Sequence, residues 1–165
     1  MQELGDLLVH YLHDRVTLVW DPAFRKLSES QRLVLTEKLQ PFHIHLEDAL
    51  ELDGGALDNL RMRAEYFLDY QADVDALSEG KKDEDEIFHF VHALKSAAKS
   101  IGARDLAVFA AYMERHRGEE KLILRMIPVL QEEYAVVCEG EKWLLQQTED
   151  AGSGEETAAV NMGDE

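Results

Sequence analysis

Cationic residues are scarce in this chain. Seventeen Lys and Arg stand against 34 Asp and Glu, for a formal net charge of −17 over 165 residues. That balance excludes a tracker of nucleic-acid phosphates, which needs a basic face. It leaves room for protein partners with basic or mixed docking surfaces. Cysteine is nearly absent: Cys138 is alone, so no internal disulfide can form, as suits a reducing compartment. Long apolar runs are missing too. The longest, "LAVFAAYM", falls well short of the roughly 20 residues a membrane span requires. The opening "MQELGDLLVHYLHD" is acidic early and lacks the basic start of a secretory signal. These absences lead us to expect a soluble, cytoplasmic protein. Nucleotide-cradling loops are also lacking. No G-x-x-x-x-G-K-[ST] and no kinase-type glycine loop occurs, so no ATP site is expected.

What is present is helical periodicity over an apolar content of 45 %, enough for a packed core. The "DP" at Asp21–Pro22 and Ser28 with Gln31 three residues on look like helix starts, and Pro41 looks like a stop. "IHLEDALELDGG" reads as a short helix ended by Gly54–Gly55. "ALDNLRMRAEYFLDYQADVDAL" reads as one long helix with Leu57, Leu60, Ala64, Phe67, Leu68, Val74 and Leu77 inward. After the polar "SEGKKDED", a third helix is expected from about Asp85 to Ile101, capped by Gly102 in the left-handed conformation. A fourth starts near Asp105, with Leu106, Phe109, Ala110 and Met113 inward. A last helix spans about Glu120 to Gln147, with Pro128 inside to kink it. Long helices joined by short connections favour an all-α, antiparallel up-down four-helix bundle. The expected division is an N-terminal helical extension over 1–40, the bundle over 41–147 and a disordered acidic tail over 148–165. "EDAGSGEETAAVNMGDE" holds six acids and no base.

The third helix carries the informative pattern. At about 100° per residue, Ile87, Val91, Leu94, Ala98 and Ile101 fall on one stripe, flanked by Phe90 and Ala97. His92 lies about 155° from its centre, sharing the wet face with His89, Ser96 and Lys99 while Lys95 flanks it. An exposed imidazole titrates near pH 6.5, and its neutral form is a nucleophile. A lysine at i+3 reaches a negative group attached to it. Ala93 and Ser96 keep the surroundings low. An exposed helical histidine is more often a plain solvated residue, and the wheel alone does not overturn that reading. His89 reads first as a polar residue at the rim, and Lys99 equally as a solvated charge or a contact to a partner. Glu114, on the fourth helix, borders His92 or is a solvated acid. His10, His13 and Asp14 in "HYLHD", and His43 and His45 in "HIH", are loosely spaced for metal ligands. No H-E-x-x-H completes either set, so no metal site is expected.

"HALKSAAKSIGARDL" resembles the signature of histidine phosphotransfer (HPt) domains, through His92, Leu94, Lys95, Ser96, Gly102, Ala103 and Leu106. The flanks agree. "IHLEDALELDGGALDNLRMRAEYFLDY" is similar to the segment leading into the family's bundle. "VFAAYMERHRGEE" resembles its next helix, and "LILRMIPVLQEEYAVV" its last, proline included. The likeness covers about Ile44 to Leu145. Ser96 departs from it, since the family more often has glycine there. The resemblance implies a phosphoryl carrier and not an ATP-using enzyme. His92 would be the phosphoacceptor and Lys95 would stabilise the phosphoryl charge, with His89, Ser96, Lys99, Gly102 and Glu114 in support or docking. It implies response-regulator receiver domains and a hybrid sensor histidine kinase as partners, with no cofactor of its own and Mg²⁺ supplied in the receiver's site. The competing expectation is a bundle that docks receivers without carrying phosphate.

Overall fold

The structure, a computed structural model, describes residues 26–52 and 54–149. The "HYLHD" histidines, the Asp21–Pro22 start and nearly all of the acidic tail lie outside the described residues. Among the described residues seven α-helices follow in order: α1 (Glu29–Leu39), α2 (Leu46–Glu51), α3 (Leu57–Leu68), α4 (Gln71–Ala76), α5 (Glu84–Ser100), α6 (Arg104–Arg115) and α7 (Glu120–Gln147). Helices α3, α5, α6 and α7 form the bundle. The α5–α6 contact is the most extensive, and α6–α7, α7–α3 and α3–α5 close the ring. Among the described residues there is no strand, only an isolated bridge between Lys26 and Ala56.

Local chemistry sets the helix starts. Ser28 accepts from the Gln31 N–H while the Gln31 side chain returns to the Ser28 N–H, a reciprocal capping box. Asp83 and Glu86 build the same device at the head of α5. Pro41 sits inside a short 3₁₀ turn (Gln40–Phe42) that ends α1, and His43 follows at φ +62°. Helix α7 continues through Pro128. That residue and Leu124 one turn before it are exposed, so the carbonyl that loses its partner lies on the wet side.

The long helix expected over 56–77 is two helices. α3 ends at Leu68, and α4 starts at Gln71 after the Asp69–Tyr70 turn. The reason is tertiary. The Tyr134 hydroxyl, wholly buried in α7, donates to the Phe67 carbonyl at 2.7 Å and lies 3.3 Å from that of Leu68. These are carbonyls that a continuing helix would use itself. The Tyr134 ring also packs on Phe67, with centroids 4.8 Å apart. Burial pushes the Tyr134 hydroxyl's pKa well up, so it remains a donor.

Within the expected N-terminal extension, the described residues 26–40 pack with the bundle. Leu27, Leu35 and Leu39 belong to the same core as Leu60, Leu94 and Tyr134, and α1 packs on both α2 and α7. At the other end Thr148, assigned to the tail by its sequence, is fully buried. Its hydroxyl donates to Leu144 O and accepts from Arg61.

Candidate functional site

The end of α5 determines where its exposed face points. Ala103 N–H bonds to Ala98 O at 2.9 Å and Gly102 N–H to Lys99 O at 3.2 Å, the paired bonds of a Schellman cap. Gly102 has φ +81°, as its place after the helix predicted. A second constraint was hidden from the sequence. The His45 N–H donates to Gly102 O at 2.8 Å, and a Cβ on Gly102 would stand 2.1 Å from His45 O. Glycine is therefore required both by conformation and by the segment that passes over it.

On this helix Val91, Leu94, Ala98 and Ile101 are buried, as the stripe predicted. The stripe is displaced at its head: Phe88 is buried and Ile87 only partly. Phe88 turns toward the α6–α7 connection, where the Arg117 guanidinium lies 5.1 Å above its ring and also pairs with Asp85 and Glu84.

His92 is on the wet face, with its side chain 66 % exposed. His89, Ser96 and Lys99 are exposed along the same helix. Lys95 is more enclosed, at 21 %, because it leans toward α6. There Glu114 joins the imidazole and the ammonium. Its Oε2 lies 2.7 Å from His92 Nδ1 and its Oε1 2.5 Å from Lys95 Nζ. A carboxylate can only accept, so Nδ1 carries a proton, and in the neutral ring Nε2 is the nitrogen that keeps its lone pair. The Lys95 ammonium holds the Glu114 carboxyl below its usual range. Partial burial opposes that shift, and the His92 contact adds to it. Glu114 therefore stays ionised and fixes the tautomer of the imidazole one helix away.

Phe88, His89, His92, Ala93, Glu114, Asp85 and Arg117 line one groove, with the imidazole in its wall. On the other side of α5, Ala93, Ser96 and Ala97 form the floor of a second groove, whose wall is the exposed Met62 and Tyr66 of α3. A partner can therefore approach His92 over small side chains, between a polar and an apolar margin. Sequence reasoning had placed every member of the His92, Lys95 and Glu114 set. It missed Arg117 and Asp85, whose only sequence signal is opposite charge on segments that a short turn brings together. The arrangement can present one neutral nucleophilic nitrogen, with a cation one turn away and an anion behind it.

A sequence model of the Hpt domain matches residues 45–140. No curated protein and no solved structure matches the chain. Among the described residues, no helix is long and apolar enough to cross a membrane.

Proposed function

Since this chain belongs to the Hpt domain family, whose members carry phosphoryl groups on histidine in phosphorelays and interact with receiver domains, we propose that His92 is its phosphoacceptor and that it relays between receiver aspartates. The observation that supports this most directly is the Glu114 carboxylate shared by His92 Nδ1 and Lys95 Nζ.

The chemistry follows from that geometry. The Nε2 lone pair attacks the phosphorus of an aspartyl phosphate in line with the acyl oxygen. The N–P bond forms as the P–O bond breaks, and the carboxylate leaves with the electron pair. The imidazole becomes cationic, with its proton still on Nδ1, and Glu114 balances that charge without moving. Lys95 turns from Glu114 toward the phosphoryl oxygens. Its ammonium is a compact charge on a flexible stem, suited to serving both positions. The return step uses the same contacts in reverse. The receiver contributes the acyl phosphate and its Mg²⁺, and a hybrid sensor kinase upstream supplies the phosphate. His89, Ser96 and Lys99 border the area that the receiver covers. Ser96 is small enough for close approach and tunes affinity. The protein is a carrier and turns over no nucleotide.

Incubation with a phosphorylated receiver tests the reading. The wild-type chain acquires acid-labile phosphate, and His92→Gln acquires none while melting like the parent, because an exposed side chain contributes little packing. Full-rate labelling of His92→Gln would place the acceptor elsewhere. Receiver binding with no labelling of the wild type would reduce the protein to a docking module.

A further inference from the structure

A second cluster of donor side chains lies away from His92. Three segments remote in sequence meet there: the turn after α1, through His43; the first turn of α6, through Asp105; and the middle of α7, through Glu133. One donor atom from each lies within 4.8 Å of the other two. His43 Nδ1 is 2.8 Å from Glu133 Oε2. Glu133 is the more enclosed, with its side chain 17 % exposed against 41 % for His43. Asp105 is exposed, and among the described residues it has no hydrogen-bond or ion-pair partner.

We propose that His43, Asp105 and Glu133 form a binding site for a divalent first-row transition-metal ion, with Zn²⁺ as the favoured occupant. One imidazole and two carboxylates are the donor types such ions take, and a nitrogen donor selects against Mg²⁺ and Ca²⁺. Two like-charged carboxylates converge on one imidazole, and an ion between them turns their repulsion into attraction. Among the described residues no other bond holds Asp105, so it can swing in. Three protein donors leave the remaining position to water. On binding, the metal takes the lone pair of the ligating ring nitrogen, and the single proton of the neutral imidazole sits on the other nitrogen.

Histidine spacing in "HIH" paired His43 with its neighbour His45, whereas the fold gives His43 two acids from other helices instead. The site is separate from the phosphoacceptor: Asp105 precedes Glu114 by nine residues of α6, about 13 Å along its axis. Its effect falls on the junction behind the acceptor helix. His45, two residues after His43, bonds to Gly102, and Asp105 lies three residues beyond it. A metal here ties the turn to α6 and α7 where the end of α5 is fastened.

Titration of the chelator-stripped full chain with Zn²⁺, Mn²⁺ and Mg²⁺, read by calorimetry and by melting temperature, tests this. Zn²⁺ raises the melting temperature, Mn²⁺ binds more weakly and Mg²⁺ gives no shift. Asp105→Asn melts like the parent in chelator but loses one equivalent of Zn²⁺ binding, with affinity down by at least about 10-fold. Glu133→Gln loses the same equivalent. A wild-type chain that binds no Zn²⁺ overturns the proposal. So does an equal response to Mg²⁺, or Zn²⁺ binding that both variants retain in full, which would place the ion on other histidines such as His10 and His13.

Discussion

The decisive contact at the level of single residues is a carboxylate with two obligations. Glu114 holds the His92 tautomer and also occupies the ammonium that the proposed transfer would use. Lys95→Ala separates these duties. The mutant keeps its nucleophile and its oriented ring, and loses the cation. It should therefore accept phosphate more slowly and lose it faster, while melting close to the parent, because a partly exposed ion pair contributes only about 0–1 kcal/mol. Stopped-flow transfer and the lifetime of phospho-His92 measure both effects. Unchanged kinetics in both directions would reduce Lys95 to a buttress for Glu114. The same substitution removes the main cause of the low Glu114 pKa, so that carboxyl should titrate higher in the mutant. In the parent, the stability from a depressed carboxyl is present above the ordinary carboxyl range. It is lost as pH falls through the depressed value.

Among the elements, two glycines do unlike work. Gly102 lets α5 stop. Gly102→Val must place a β-branched residue at φ +81° with its Cβ against the His45 carbonyl. The conformational strain alone is on the order of 1–3 kcal/mol. Relieving the clash moves the His45 segment or the α5–α6 corner, so melting temperature and transfer rate should fall together. A parent-like mutant would contradict the cap. Gly140 lies inside α7 with no unusual conformation, and propensity alone says that alanine should improve the helix by about 1 kcal/mol. Packing says otherwise: a Cβ there would lie 2.5 Å from Phe42 Cβ and 2.7 Å from Ile44 Cδ1. Overpacking of this kind costs about 1–3 kcal/mol. Gly140→Ala should therefore destabilise despite its better helix propensity, and a raised melting temperature would show that the Phe42–Ile44 segment yields.

At the scale of the molecule, the main pH liability among the described residues is Glu141. It is 1 % exposed, and its Oε1 has no hydrogen-bond partner among the described residues. Burial raises its pKa to about 8, with the Arg63 charge pulling the other way. The folded chain therefore binds a proton here that the unfolded chain releases near pH 4.5. Stability from this group is fully present below that value and is lost as pH rises toward about 8. Glu141→Gln keeps the shape without the charge. The mutant should overtake the parent as pH rises through this window, with a gap of up to a few kcal/mol at pH 9. Denaturant melts from pH 5 to 9 measure it, and parallel curves would mean that Glu141 is solvated in the folded state.

The sequence by itself determined much of what local period and local chemistry carry. Polarity at 3.6-residue spacing placed the buried face of α5 and put His92 opposite it. Capping residues located the start of α1, and Gly102 located the end of α5. The signature from His92 to Leu106 pointed to the family. These were legible because each depends on residues within a turn or two of one another. Only the tertiary structure decided what depends on residues meeting from afar. It split the helix over 56–77, because a tyrosine from α7 takes the carbonyls at its middle. It drew α1 into the core through Leu35 and Leu39, and it turned Phe88 inward under Arg117. It made Gly140 necessary through a segment about 100 residues earlier in the chain. It also set Glu114 between His92 and Lys95, and Asp105 and Glu133 around His43. A one-dimensional pattern records what a side chain is and which way its own helix turns it. It does not record which atoms of another helix will stand within 3 Å of it, and hydrogen bonds, clashes and pKa values are set at that distance.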